Sequence, residues 1–172
     1  MHIILIGYRG TGKTSVGRKL AEKLQLPFYD TDQLIIDRIG QTIKQWVEAK
    51  GWASFRQEEK KVISEIPSLV PGVIALGGGA VMDPENRNLL RQNGLAVWLT
   101  AEVSTIMERM KSDPRDQDNR PALSGHDFEK EIREILSQRI PVYRQSADLS
   151  IGTEGKTIEE VAEELVDLIR KY

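Results

Sequence analysis

The chain of 172 residues contains no cysteine. Disulfides and cysteine-ligated zinc are thereby ruled out, and the composition suits a reducing compartment. Histidine occurs only at His2 and His126, without metal-ligand spacing or triad partners, so neither is assigned a role. Long apolar runs are missing. The opening Ile3-Ile4-Leu5-Ile6 is far too short for a signal peptide or a membrane span, so a cytoplasmic setting without a membrane partner is expected. There is no excess of positive charge either: the formal net charge is −2, which leaves no electrostatic footprint for nucleic acid. Internal repeats, low-complexity tracts and linkers are absent too, and the length suits one buried core. A single domain over 1–172 is expected.

What is present starts immediately after the first apolar run. Gly7-Tyr8-Arg9-Gly10-Thr11-Gly12-Lys13-Thr14 satisfies G-x-x-x-x-G-K-[ST] at every fixed position, between a strand pattern and a helix pattern. Glycines at these places let consecutive backbone N–H groups approach phosphate oxygens, and the helix that follows adds the positive end of its dipole. Gly10, Thr11, Gly12, Lys13, Thr14 and Ser15 are therefore the candidate nucleotide-phosphate ligands. Lys13 can reach the β- and γ-phosphates, and the Thr14 hydroxyl can ligate Mg²⁺.

Along the chain, periodicity and punctuation predict strands at about 2–6, 28–30, 73–76, 96–99 and 149–151. Helices are predicted at about 13–24, 32–40, 42–50, 53–66, from Asp83-Pro84 to Asn93, around 103–110, 127–144, and from the Thr157/Glu160 capping box to Lys171. Short apolar strands alternating with helices indicate an α/β fold in three layers, a parallel five-stranded sheet with helices on both faces. Ligands in such sheets bind beyond the carboxyl ends of the strands. The phosphate loop, Asp30 with Asp32, and Gly77-Gly78-Gly79 all fall at such ends.

Asp30 and Asp32 are two residues apart and project to the same side if the extended conformation persists. One carboxylate can hold Mg²⁺ through its waters, while the other accepts a proton from an attacking hydroxyl; alternatively Asp32 only caps the next helix. Arg139 shares a stripe with Ile132 and Ile135, and Arg56 points with Ile63 toward an apolar face. A buried arginine needs an anionic partner, which Glu59 can provide to Arg56, unless the guanidinium snorkels to water. Two such forks facing one pocket suit a substrate carboxylate. Gly77, Gly78 and Gly79 permit close approach of a small ligand. Residues 112–126 have the composition of a mobile lid, in which Arg120 could swing over the γ-phosphate or Arg115 and Arg120 could be solvated loop charges.

The phosphate loop, Asp-Thr-Asp at 30–32, Phe-Arg at 55–56 with Glu59, Gly-Gly-Gly at 77–79, Arg-Pro at 120–121 and Arg-x-x-x-Tyr at 139–143 together resemble the shikimate kinase family over nearly the whole chain. That resemblance implies a P-loop kinase fold of the nucleoside-monophosphate-kinase type, with strand order 2-3-1-4-5. It also implies transfer of the ATP γ-phosphoryl group to the 3-hydroxyl of shikimate, on the route to chorismate and the aromatic amino acids. Asp32, Arg56, Gly78 and Arg139 would bind shikimate within a region of about 32–66 and its neighbours, with Asp32 as the candidate base. Arg120 would be the lid arginine on ATP, Arg109 would lie near the adenine, and Thr14 would ligate Mg²⁺ with Asp30 nearby. A monomer is expected. Competing readings are a P-loop kinase of gluconate or a nucleoside monophosphate, and a nucleotide switch. The switch is disfavoured because Asn-Lys-x-Asp is absent and Asp37 to Gly40 matches D-x-x-G only within a helix pattern.

Overall fold

The structure, a computed structural model, describes residues 1–113 and 128–172. Strand β1 (His2–Ile6) is buried along its whole length, and its side chains alternate between two cores. Ile4 and Ile6 enter one cluster, while Ile3 and Leu5 enter the other. This is the period-two pattern of a strand covered on both faces. Around it lie β2 (Phe28–Asp30), β3 (Val73–Ala75), β4 (Gly94–Thr100) and β5 (Leu149–Gly152), in the order β2-β3-β1-β4-β5. All pairs are parallel, with Ile4 opposite Ile74 on one side and Ala96 on the other. The expected strand order is therefore the observed one.

Two helices cover one face: α1 (Lys13–Leu24) through Val16 and Leu20, and the carboxy-terminal α7 (Ile158–Lys171) through Val161 and Leu165. On the other face lie α3 (Ile43–Glu65), α4 (Pro84–Asn93), α5 (Val103–Ser112) and α6 (Phe128–Ser146), which contribute Ile63, Leu90, Ile106 and Ile132. Helix α2 (Thr31–Ile39) packs with α3 around a separate cluster of Ile35, Ile43, Phe55 and Val62. No helix among the described residues is long and apolar enough to cross a membrane.

Most boundaries agree with the periodicity, and the exceptions have local causes. The helices predicted before and after Gly51 form one element interrupted at that residue, whose φ of 79° is non-helical. Strand β4 runs longer than its apolar stretch because Gly94 and Leu95 pair with His2 and Ile3 of β1 and Thr100 pairs with Gly152 of β5. The predicted caps hold. Asp83 accepts from the Glu85 N–H ahead of Pro84, and Thr157 with Glu160 closes a capping box. His2, given no role, is buried and accepts the Gly72 N–H at Nδ1.

Gly94 opens β4 where the backbone runs against β1. A methyl group there would stand 2.5 Å from Ile4 Cδ1 and 2.8 Å from the His2 carbonyl oxygen. Gly94→Ala is expected to lower unfolding free energy by about 1–3 kcal/mol, the usual cost of overpacking a filled core. Urea denaturation checks this, and a loss within about 0.5 kcal/mol, the range of surface substitutions, would show that the strands part more easily than the contact implies.

Candidate functional site

The phosphate loop leaves β1 through Gly7, whose φ is 138°. A Cβ there would also meet the Leu99 carbonyl at 2.5 Å, so conformation and space both require glycine. Inside the loop, Thr11 is buried and its hydroxyl donates to the Tyr8 carbonyl at 2.7 Å. Lys13 Nζ reaches back to donate to the Gly7 and Tyr8 carbonyls, each at 2.8 Å. Helix α1 begins after Gly12 with no side-chain cap and no acidic residue in its first turn. No side chain of its own competes for the N–H groups at this positive end, as an anion site requires.

Asp30 is the residue that caps α2, correcting the alternative that gave this task to Asp32. Its Oδ1 accepts the Asp32 and Gln33 N–H groups at 3.0 and 3.4 Å, and its Oδ2 accepts the Thr14 hydroxyl at 2.8 Å. The extended conformation does not persist, since the helix starts at Thr31, so Asp32 reaches its place from a helical first turn. Thr31 accounts for that place. Fully buried, it accepts the Gly77 N–H at 2.9 Å and donates to the Ala75 carbonyl at 3.4 Å, tying the start of α2 to the exit of β3.

The glycine turn Gly77-Gly78-Gly79 is where the separate pieces meet. A methyl on Gly77 would lie 2.7 Å from Asp32 Oδ1 and 2.9 Å from Glu59 Oε1. A methyl on Gly79 would lie 2.7 Å from Arg56 Cζ. Arg139 Nη1 donates to the Gly78 carbonyl at 3.3 Å, and the Tyr143 hydroxyl donates to the same oxygen at 2.5 Å. Both guanidiniums therefore border one turn. Arg56 Nη1 is held by Glu59 Oε2 at 2.5 Å, and its charge also lies over the Phe55 and Trp52 rings. Arg56 nevertheless keeps 39% of its side-chain surface exposed, so its head reaches solvent as well as Glu59. Arg139 follows Ile132 and Ile135 on the packed face of α6 and lies over the Tyr8 ring.

Arg109, on α5, forks onto a single residue. Its Nη1 and Nη2 donate to the hydroxyl and carbonyl of Thr153 at 2.9 and 3.0 Å, and Nη1 also reaches the Gly10 carbonyl at 3.2 Å. Thr153 is buried and anchored to the Thr100 carbonyl. An open cleft of about 740 Å³, within the usual range for ligand sites, runs from the phosphate loop past Arg109 and Thr153 to Asp30 and Asp32. Thr14 and Asp30 suit Mg²⁺, a hard cation that takes one or two protein oxygens and fills the rest of its octahedron with water and phosphate. Among the described residues no three His, Cys, Asp or Glu side chains gather as an ion cage, and such a Mg²⁺ site requires none. Arg120, together with Arg115, His126 and the lid apart from Ser112 and Asp113, lies outside the described residues.

Thr31, Tyr143 and Thr153 were not singled out by residue-level reasoning. Thr31 and Tyr143 fall inside the quoted Asp-Thr-Asp and Arg-x-x-x-Tyr motifs, which was their only signal. Thr153 follows an edge strand and carried no pattern.

A family model described as shikimate kinase matches residues 9–170. The shikimate kinase of Syntrophus aciditrophicus is 45% identical over 173 residues, covering 96% of this chain and 89% of that protein. The shikimate kinase of Caldanaerobacter subterraneus is 42% identical over 165 residues, covering 96% and 94%. Among solved structures, shikimate kinase from Acinetobacter baumannii in complex with shikimate superposes with a TM-score of 0.92 at 37% identity, covering 99% of this chain and 93% of that one.

Glu59 supplies a pH signature. Burial, opposed by Arg56 and assisted by the Asp32 charge, holds its carboxyl above the ordinary glutamate value of 4.5. The folded chain therefore keeps this proton to higher pH than the unfolded chain does, and the resulting stability is complete below 4.5 and lost as pH rises through the elevated value. Glu59→Gln has no proton to lose. The parent's unfolding free energy relative to this variant is expected to shrink as pH rises from about 4.5 toward neutrality. Urea titrations across that range measure it, and a flat or growing difference would contradict the assignment.

Proposed function

The chain belongs to the shikimate kinase family, whose members transfer the γ-phosphoryl group of ATP to the 3-hydroxyl of shikimate, and we propose the following division of labour among its side chains. Arg56 and Arg139 grip the substrate carboxylate with Gly77, Gly78 and Gly79 as the floor of the cup. Asp32 receives the hydroxyl proton as that oxygen bonds to the γ-phosphorus and the bond to the bridging oxygen of ADP breaks. The backbone from Gly10 to Ser15 and the Lys13 ammonium hold the phosphates. Thr14 directly, and Asp30 through water, would hold Mg²⁺, which supplies charge neutralisation on the β- and γ-phosphates. Arg109 borders the adenine, and Arg120 brings a further positive charge to the transferring group from the lid at 112–126.

The observation that carries this reading is the convergence of Asp32, Arg56 and Arg139 on one glycine turn beside a phosphate loop. Little covalent work falls to the protein in such a transfer, so positioning and electrostatics dominate. Water is the competing nucleophile, and lid closure would exclude it. The proposal further takes 1–172 as one domain, acting as a cytoplasmic monomer without nucleic-acid or membrane partners. A net charge of −2, with no basic excess, supports the absence of a nucleic-acid partner.

Coupled ADP release with shikimate, gluconate or AMP as acceptor tests the reading, and faster turnover with either of the others would end it. In the same assay Arg139→Lys is expected to raise the shikimate KM about tenfold or more with little change in the ATP KM, because a point charge cannot replace a bidentate fork. An unaltered shikimate KM removes Arg139 from the cup. Asp32→Asn is expected to lower kcat by about 10²–10⁴-fold, the usual contribution of a positioned base. A kcat within about twofold of the parent assigns the proton elsewhere.

A further inference from the structure

The Gly78 carbonyl lies between two donors of different strength. Arg139 is a cation, and a charged donor forms shorter, stronger hydrogen bonds than a neutral one. Its Nη1 nevertheless stays at 3.3 Å, beyond the ordinary N–H···O range, while the neutral Tyr143 hydroxyl holds the same oxygen at 2.5 Å. Tyr143 is almost fully buried at 1% exposure, is stacked on Trp98 at 6.0 Å, and sits one helical turn after Arg139 on α6. Its ring is therefore fixed, and its hydroxyl has a set direction.

We propose that Tyr143 is a positioning residue for substrate recognition: by sharing the Gly78 carbonyl with Arg139 it weakens that oxygen's hold on the guanidinium, leaving it only the long 3.3 Å contact, and holds the glycine turn at the height the cup requires. This rests on the reading of Arg139 as a carboxylate ligand. The geometry explains why a phenol serves here. A serine or threonine on α6 would be too short to cross from the helix to the turn, and a lysine would place a third cation beside Arg56 and Arg139. Burial pushes the Tyr143 hydroxyl up to about 12, so it remains a donor at neutral pH and never becomes a competing anion for Arg139. In a chain lacking the hydroxyl, the carbonyl still has Arg139 as its donor. The turn stays satisfied, but the guanidinium is drawn toward it and away from the ligand.

Tyr143→Phe keeps the ring and the Trp98 stack, so it isolates the hydroxyl. The expected result is a shikimate KM raised by about three- to tenfold, the size of one lost hydrogen bond, with the ATP KM and kcat close to the parent. Combined with Arg139→Lys, the second substitution is expected to add much less than its separate effect, because both act through one guanidinium. A lowered Tm with both KM values unchanged would make the hydroxyl a packing element only and overturn the inference. Equal rises in both KM values, a fully multiplicative double variant, or a Tyr143→Phe chain that does not fold would overturn it as well. If Arg139→Lys alone leaves the shikimate KM unaltered, the reading of the cup fails. If that variant behaves as expected and Tyr143→Phe does not, only the present inference fails.

Discussion

Arg56 and Arg139 carry like charges into one corner of the molecule, and the partners fixed beside them help to hold them there. Like charges repel more strongly as solvent is withdrawn, so two guanidiniums at one turn are easier to hold when each has a fixed partner. Arg56 has the buried Glu59 carboxyl, and Arg139 has the Gly78 carbonyl. The Asp32 carboxylate faces the same glycine turn, beside the Glu59 carboxyl and within reach of the two guanidiniums' corner. On the proposed reading, the site combines attraction for a small carboxylic acid with a base beside it. Each charge in the group makes another one affordable.

The sheet decides where this group forms. With β1 at its centre, the phosphate loop emerges next to the ends of β3 and β4, and the ends of β2 and β3 lie on the same edge. Thr31 ties α2 to the exit of β3, which fixes Asp32 in α2's first turn relative to the glycine turn. Arg56 and Arg139 come from helices on the face opposite α1, so they meet the turn from the side away from the nucleotide helix. Arg109 repeats this economy on the nucleotide side, joining α5, the loop after β5 and Gly10 with one guanidinium. On the proposed reading, the two substrates are addressed by separate groups of side chains, one around the phosphate loop and one around the glycine turn.

Much of this was legible from the amino acids alone. The phosphate loop follows a buried strand and opens a helix, and that context is as local as the motif itself. The two arginines could be found because a charge on an apolar stripe contradicts the surrounding pattern. What remained hidden depends on contacts between distant segments. Whether Asp30 or Asp32 caps α2 turns on a single residue of helix start, which propensity does not resolve. The roles of Thr31 and Thr153 rest on hydrogen bonds to Ala75 of β3 and Thr100 of β4, invisible to any window of sequence. Tyr143 reads as one more apolar-face aromatic until the position of Gly78 is known.

The glycine turn has an implication for how the chain tolerates substitution. At positions 77 and 79 the smallest possible side chain would intrude on a carboxylate or a guanidinium. The information stored there is emptiness, and alanine erases it. The atoms an added methyl would meet are the ends of the Asp32, Glu59 and Arg56 side chains rather than backbone, so the charged groups, not the turn, would give way. In a saturation library scored by growth or turnover, alanine at either blank position is expected to act by swinging those groups out of register with the turn, costing function before it costs the fold.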